Sequence, residues 1–378
     1  MGPFLPCTSR TAARARPARV LAAAAVAGSL LAACSTAGAP APTAGDVTKA
    51  PPASVAPTTV TLLTHDSFSV DKALLESFRQ RTGITVKVVT GGDAGEVVNK
   101  AVLTAGNPEG DVLFGVDNTL LSRAVGAGTF APYRPAALAQ VDPSLRALVP
   151  GDAVVPVDFG DVCVVADDSW FAGHGVAEPT SMADLADPRY RGRLVVENPA
   201  TSSPGLAFLL ATVARYGSGG WQDFWTRLRA NGVKVDDGWT NAYDSDFTGG
   251  GQKGTYPLVV SYGTDPVASI EFADPKPTRP TVSVLADSCF RQVEFAGVLA
   301  GTRQPQAARM VVDFLLSAQF QAGIPLSMYV FPAVGSTALP PVFSQWAVQA
   351  QHPLTVAPAE ITKNREQWVE QWTQTVLH

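Results

Sequence analysis

Charge is scarce in this sequence. Asp, Glu, Lys and Arg together make up 16% of 378 residues, and they balance at −5. No basic excess exists to form the Lys/Arg stripe that a nucleic-acid partner calls for. Histidine is as thin: His65, His174, His352 and His378 are scattered, and no C-x-x-C occurs, so nothing signals a metal cluster. The G-x-S-x-G elbow of α/β-hydrolases is missing. No cofactor is implied. What the chain holds in quantity is apolar residues (46%), with Gly (33) and Pro (30) spread among periodic apolar segments. That composition suits a folded chain of two or three domains with real cores.

The first segment is of another kind. Residues 1–33 carry Arg10, Arg14, Arg16 and Arg19 and no acid, followed by an Ala/Leu/Val run from Val20 to Ala33. A charged start and a short apolar stretch predict a secretory signal peptide, the run being too short for a comfortable membrane span. It ends in Leu31-Ala32-Ala33-Cys34, which resembles a bacterial lipobox. The resemblance implies a diacylglyceryl group on Cys34 and cleavage before it, anchoring the protein to the outer face of the cell membrane. Removal of the leader moves the net charge from −5 to −9 over 345 residues. Residues 34–59 are rich in Ala, Pro and Thr and read as a flexible tether. Of the remaining cysteines, Cys163 and Cys289 form an even pair in an exported chain, which suggests a disulfide; two buried free thiols are the alternative.

Strand and helix patterns alternate beyond the tether. Strands are expected at Val60–Thr64, Ile84–Thr90, Asp111–Val116, Leu194–Glu197, Leu258–Tyr262 and Gln292–Ala300. Two extended pieces are expected at Val154–Asp158 and Asp161–Val165. Helices are expected at Val70–Arg79, Ala94–Thr104, Gly205–Tyr216, Trp221–Asn231, Gln306–Leu316 and Glu360–Leu377. Repeated βα units predict an α/β fold in which each lobe is a mostly parallel sheet flanked by helices. A break near Pro156 and a late apolar strand predict two lobes, 60–155 with 283–325 and 156–282 with 326–378, joined by two crossing hinge segments.

Ligands in such sheets sit beyond the carboxyl ends of strands. Those ends carry His65-Asp66-Ser67-Phe68, Asp93, Asp117-Asn118, Asp158-Phe159-Gly160-Asp161, Pro199 to Gly205, and Tyr262-Gly263-Thr264-Asp265, with Trp239 and Tyr243 flanking a loop between. The set is acidic and aromatic, with small hydroxyls and no arginine. Carboxylates and ring faces suit an organic cation, at ~1–2 kcal/mol per desolvated cation–π contact. Asp93 and Asp117 also fit as helix N-caps, and Trp239 and Tyr243, four apart, as a core stripe. Residues 201–205 read as a helix start whose N–H groups and hydroxyls would receive an anion.

These residues carry a resemblance. Thr64-His65-Asp66-Ser67-Phe68, Gly115-Val116-Asp117-Asn118, Pro156-Val157-Asp158-Phe159-Gly160, Asn198-Pro199 through Gly205, Gly238 through Tyr243, and Ser261-Tyr262-Gly263-Thr264 stand in the order found in the thiamine-binding substrate-binding proteins of bacterial ABC transporters. The chain is similar to that family over most of residues 60–372. The resemblance implies the two-lobed periplasmic-binding-protein type II fold, no enzymatic activity, and capture of thiamine or a thiamine phosphate for delivery to permease subunits. It implies ligand contacts at Asp93 and Ala94, Ser202 and Ser203, Trp239, and Tyr262, Gly263, Thr264 and Asp265, with Asp117 nearby and Tyr329 as a late aromatic. Ala94 replaces a family glycine, and Asp265 replaces a small hydroxyl residue, which disfavours phosphate.

Two rivals remain. Ser69-Val70-Asp71-Lys72 fits the S-x-x-K of penicillin-recognising serine enzymes, without the K-T-G order. The same fold could hold another organic cation, polyamines above all. Ferric-ion binders of this fold use adjacent tyrosines, which this chain lacks.

Overall fold

A computed structural model of the chain describes residues 54–149, 151–251 and 254–378. The leader, Cys34 and most of the tether lie outside the described residues.

The first parallel group comprises β1 (Thr58–Thr64), β2 (Ile84–Thr90) and β3 (Val112–Asp117), in the order β2-β1-β3. Helices α1 (Lys72–Thr82), α2 (Ala94–Leu103) and α3 (Leu121–Gly126) intervene or follow. Local chemistry sets their ends. Asp71 caps α1 by accepting from the Ala73 N–H at 2.8 Å, and Gly83 ends it at φ 79°, a conformation glycine takes without penalty. All six residues of β3 are buried, as expected of a strand covered on both faces. β1 starts two residues earlier than the tether reading placed it, and the Val55 N–H already bonds the Thr82 carbonyl. The end of the Ala/Pro/Thr segment is therefore part of the fold.

β4 (Phe130–Ala131) and α4 (Pro143–Arg146) lead into β5 (Val155–Asp167). The second parallel group follows: β6 (Leu194–Glu197), β7 (Lys234–Asp236) and β8 (Leu258–Tyr262), with α5 (Asp168–His174), α6 (Ser203–Ala230), α7 (Trp239–Asn241) and α8 (Asp265–Glu271). The helix label of α6 spans a break at Gly217–Gly219, where Gly217 and Gly219 take φ 68° and 94°, so the two helices expected from sequence are indeed separate.

β9 (Val282–Leu299) and β5 join the groups. β9 pairs antiparallel with β3 through Val298 to Glu294, and β5 pairs antiparallel with β8 through Val162 to Ala166. The two long strands pair with each other along almost their whole length. The result is one hydrogen-bonded sheet in the order β2-β1-β3-β9-β5-β8-β6-β7, parallel at both flanks and antiparallel at the crossing. The two extended pieces expected around residues 154–165 are a single strand, and β9 begins ten residues before the expected Gln292. A disulfide between Cys163 and Cys289 joins the two crossing strands beside a register shift at Val162/Val164.

The chain closes with α9 (Pro305–Leu315), α10 (Ala318–Ser327), β10 (Phe331–Pro332, on β5), α11 (Pro341–Trp346) and α12 (Pro358–Val376). Trp368 and Trp372 bury one face of α12, and Trp372 meets Trp225 of α6 edge-on at 5.4 Å. Among the described residues no helix is long and apolar enough to cross a membrane.

Candidate functional site

The carboxyl ends of β1, β2 and β3 and those of β6 and β8 face one another across the crossing strands. Asp93, just past β2, is 8% exposed. It caps α2 by accepting from its own helix at Ala94 N (2.6 Å), and its carboxylate also accepts from Ser203 N of α6 (3.0 Å) and Trp239 N of α7 (3.0 Å). One side chain of the first group thus holds two backbone segments of the second. Burial pushes its pKa up, opposed by the Trp239 and Ser203 N–H groups. Gly95 permits the approach: a Cβ there would lie 2.2 Å from the Thr201 carbonyl oxygen.

The α6 N-terminus is therefore engaged. Ser203 N–H goes to Asp93, Pro204 has no N–H, and Gly205 N–H goes to the Ser202 hydroxyl at 3.3 Å. The anion site expected at residues 201–205 is filled by the chain's own carboxylate.

Asp117, fully buried, anchors a second bridge. One oxygen accepts from Thr119 N and Oγ1 and from Leu120 N; the other accepts from the Ser203 hydroxyl and from Gln292 Nε2 at 3.0 Å. Gln292 also donates to Ser203 Oγ (2.6 Å) and accepts from the Tyr262 hydroxyl (2.8 Å). Asp117, Ser203, Gln292 and Tyr262 form one network through both groups and β9.

The aromatic wall follows. Trp239 is half-buried, stacks on Tyr243 at 4.9 Å and 17°, meets Tyr262 edge-on at 6.1 Å, and donates its Nε1–H to Ser261 Oγ at 3.0 Å. The core-stripe reading describes Tyr243, which is core, while Trp239 packs against that cluster and is only partly covered. Thr264 donates its hydroxyl to the Tyr329 carbonyl, which links the late aromatic to the turn after β8; Tyr329 takes φ 55° and packs on Phe272 at 5.1 Å. Gly263 is tied by its N–H to Asp161 and by its carbonyl to Val348, both at 2.8 Å. Asp265 opens α8, 3% exposed, with Oδ2 lacking a partner; burial pushes its pKa up to about 7. Ala94 is buried at the first position of α2.

Sequence reasoning missed part of the site. Glu294 of β9 lies with His65 Nε2 at 3.4 Å and pairs in register with Asp158 of β5. Burial alone would lower the His65 pKa, but the Glu294 carboxylate raises it; burial pushes Glu294 up and the His65 charge draws it below its ordinary value. Asp158 has no donor for either oxygen, and burial beside Glu294 raises it well above its ordinary value. Gly115, at φ 94°, makes room for this histidine, since a Cβ would meet its ring at 2.4 Å. Glu197, at the end of β6, is 1% exposed and likewise unpaired. The alternation of Gln292, Glu294 and Ala296 along one face of an apolar strand was the available signal. Ser69 and Lys72, by contrast, stand exposed where α1 begins.

The site is a convergence of buried carboxyl groups and aromatic faces between two lobes, a chemistry matched to an organic cation. Comparison with known proteins agrees in kind. The model of the family described as bacterial extracellular solute-binding protein matches residues 107–351. A thiamine-binding periplasmic protein of Escherichia coli (strain K12) is 30% identical over 325 residues, covering 84% of this chain and 93% of the relative. One from Brucella suis biovar 1 (strain 1330) is 28% identical over 327 residues, covering 85% and 93%. A solved periplasmic thiamin binding protein superposes with a TM-score of 0.72 at 28% identity, covering 84% of this chain and 96% of its own. With more than half its length matched by the family model and its two-lobed α/β fold shared with a solved binding protein, the chain belongs to the bacterial extracellular solute-binding proteins.

Proposed function

We propose that this protein captures thiamine outside the cytoplasm and delivers it to the permease subunits of an ABC transporter. The observation that carries the reading is the meeting of Asp93, from the first lobe, with Trp239 and Tyr262, from the second. Asp93 offsets the thiazolium charge, and Trp239 and Tyr262 offer ring faces. Ala94, Ser202, Ser203, Gly263, Thr264, Asp265, Asp117 and Tyr329 line or frame the site. The name of the relatives supports thiamine as the ligand. The carboxylate seated on the α6 N-terminus supports thiamine over its phosphates, because a phosphate there would meet a like charge.

In this reading the leader 1–33 is removed, Cys34 carries the lipid, residues 34–59 tether the body to the membrane, and lobes 60–155 with 283–325 and 156–282 with 326–378 close on the ligand about the crossing strands. Calorimetry with thiamine, thiamine monophosphate and spermidine tests it. Saturable binding with thiamine strongest is expected. Spermidine binding tighter than thiamine would assign the site to polyamines, and three flat titrations would refute an organic-cation site altogether.

A further inference from the structure

Glu197 is the last residue of β6, in register with Asp236 of β7. Side chains alternate along a strand, so Glu197 shares a face with Val195. Val195 belongs to the apolar cluster of Tyr243, Phe247 and Val259, against which Trp239 packs. The Glu197 carboxyl therefore projects toward the aromatic wall from the sheet end. It is 1% exposed, and neither oxygen has a hydrogen-bond partner beyond the residue's own N–H. The back of the position is sealed, because a Cβ on Gly205 of α6 would lie 2.5 Å from the Glu197 carbonyl.

The neighbouring acids are engaged in other contacts. Asp93 accepts from three N–H groups, Asp236 pairs with Lys234 at 3.1 Å, and Asp265 is bonded at Ser261. Glu197 alone among them has no partner on another residue. Burial, with Asp93, Asp236 and Asp265 as like-charged neighbours, favours its neutral form. A neutral carboxyl presents one O–H donor beside one C=O acceptor in a plane. Its complement is a planar edge with a ring nitrogen acceptor next to an exocyclic amino donor.

We propose that Glu197 is a specificity-determining residue that reads the aminopyrimidine edge of the ligand through paired hydrogen bonds while Trp239 supplies the stacking face. This rests on the thiamine reading of the site. Recognition then divides between Asp93, which answers the cationic ring, and Glu197, which answers the neutral one.

The test compares thiamine with its desamino analogue, in which hydrogen replaces the amino group of the pyrimidine, so that the Glu197 C=O is left without a donor whichever oxygen carries the proton. Competition calorimetry on the full chain should show the wild type preferring thiamine by at least about tenfold, the factor for one buried hydrogen-bonding group left unmatched. Glu197→Gln keeps a donor and an acceptor in the same plane and should retain the preference. Glu197→Ala should reduce it to about twofold or less. A Glu197→Ala protein that discriminates as the wild type does, or a Glu197→Gln protein that loses discrimination, would overturn the assignment while leaving thiamine binding intact. Wild-type protein that binds neither compound would overturn the thiamine reading and this inference with it.

Discussion

Replacing Asp93 with Asn tests the core of the site, because the substitution keeps shape and changes one atom's chemistry. The amide oxygen can still accept from Ala94 N and Ser203 N, now at 2.6 and 3.0 Å. The amide nitrogen then faces the Trp239 N–H, now 3.0 Å from Oδ2, so two donors oppose each other. Flipping the amide sets its nitrogen against two donors instead of one. A buried N–H left without an acceptor costs ~1–3 kcal/mol. Loss of the carboxylate removes a further ~1 kcal/mol or more of charge-assisted attraction for a cation. Together these predict affinity lower by ~2–4 kcal/mol, or roughly thirtyfold to several hundredfold in Kd. Isothermal calorimetry reads the affinity, and thermal melting of the ligand-free variant separates a site effect from loss of fold. A variant that melts like the wild type and binds thiamine within threefold of it would refute both the counter-charge role and the bridge to Trp239.

Three further outcomes are expected. The Cys163–Cys289 bridge closes 126 residues, so Cys163→Ser with Cys289→Ser should lower stability by about 5 kcal/mol on the chain-entropy account; a urea midpoint equal to that of the oxidised wild type would contradict it. Gly95→Ala places a methyl 2.2 Å from the Thr201 carbonyl oxygen, a backbone atom that cannot swing aside, so ligand affinity should fall at least about tenfold; unchanged affinity would show that binding does not need this close approach. Asp158 keeps its proton in the folded state to a pH well above its ordinary 3.8, so its contribution to stability is complete below that value and is lost as pH rises through the folded value. The stability gained by Asp158→Asn should therefore grow from pH 4 toward neutrality, and a gain flat across urea midpoints in that range would refute the assignment.

The sequence showed the fold where local chemistry and burial agree. The apolar positions of β1 and β3 alternate or run unbroken as their burial demands, and Asp71 and Gly83 mark the ends of α1. It failed where tertiary pairing overrides propensity. Asp158 and Asp161 make β5 look broken, yet the strand continues because β9 and β8 pair along it. The first half of β9, through Ser283, Asp287, Ser288 and Arg291, lacks an apolar pattern, and it is β5 that fixes it as strand. The site divides in the same way. Asp93 and Asp265 are legible because they sit just past strands, and Asp117 because it ends β3, where a ligand would be met. Glu197 and Glu294 are strand residues, and only the packing shows that they are buried rather than turned to water.

That distinction bears on how the site selects its ligand. Asp93, Asp117, Asp158, Glu197, Asp265 and Glu294 are all buried, with His65 beside Glu294 and Arg365 near Asp117 as buried basic groups among the described residues. Tyr262 lies close enough to Glu294, Asp93, Asp117 and Glu197 for each to push its hydroxyl pKa further up. Two of these carboxylates are stabilised by donors from the opposite lobe: Asp93 by Ser203 and Trp239, and Asp117 by the Ser203 hydroxyl. Those contacts exist only when the lobes are together, so closure and the burial of Asp93 and Asp117 between the lobes are one event. An anion entering the closed site would add to their charge, whereas a cation lowers the cost of every carboxyl that closure buries. On the proposed reading charge selectivity belongs to the closed arrangement as a whole, and Trp239 and Tyr262, edge to face at 6.1 Å, offer ring faces to an aromatic cation.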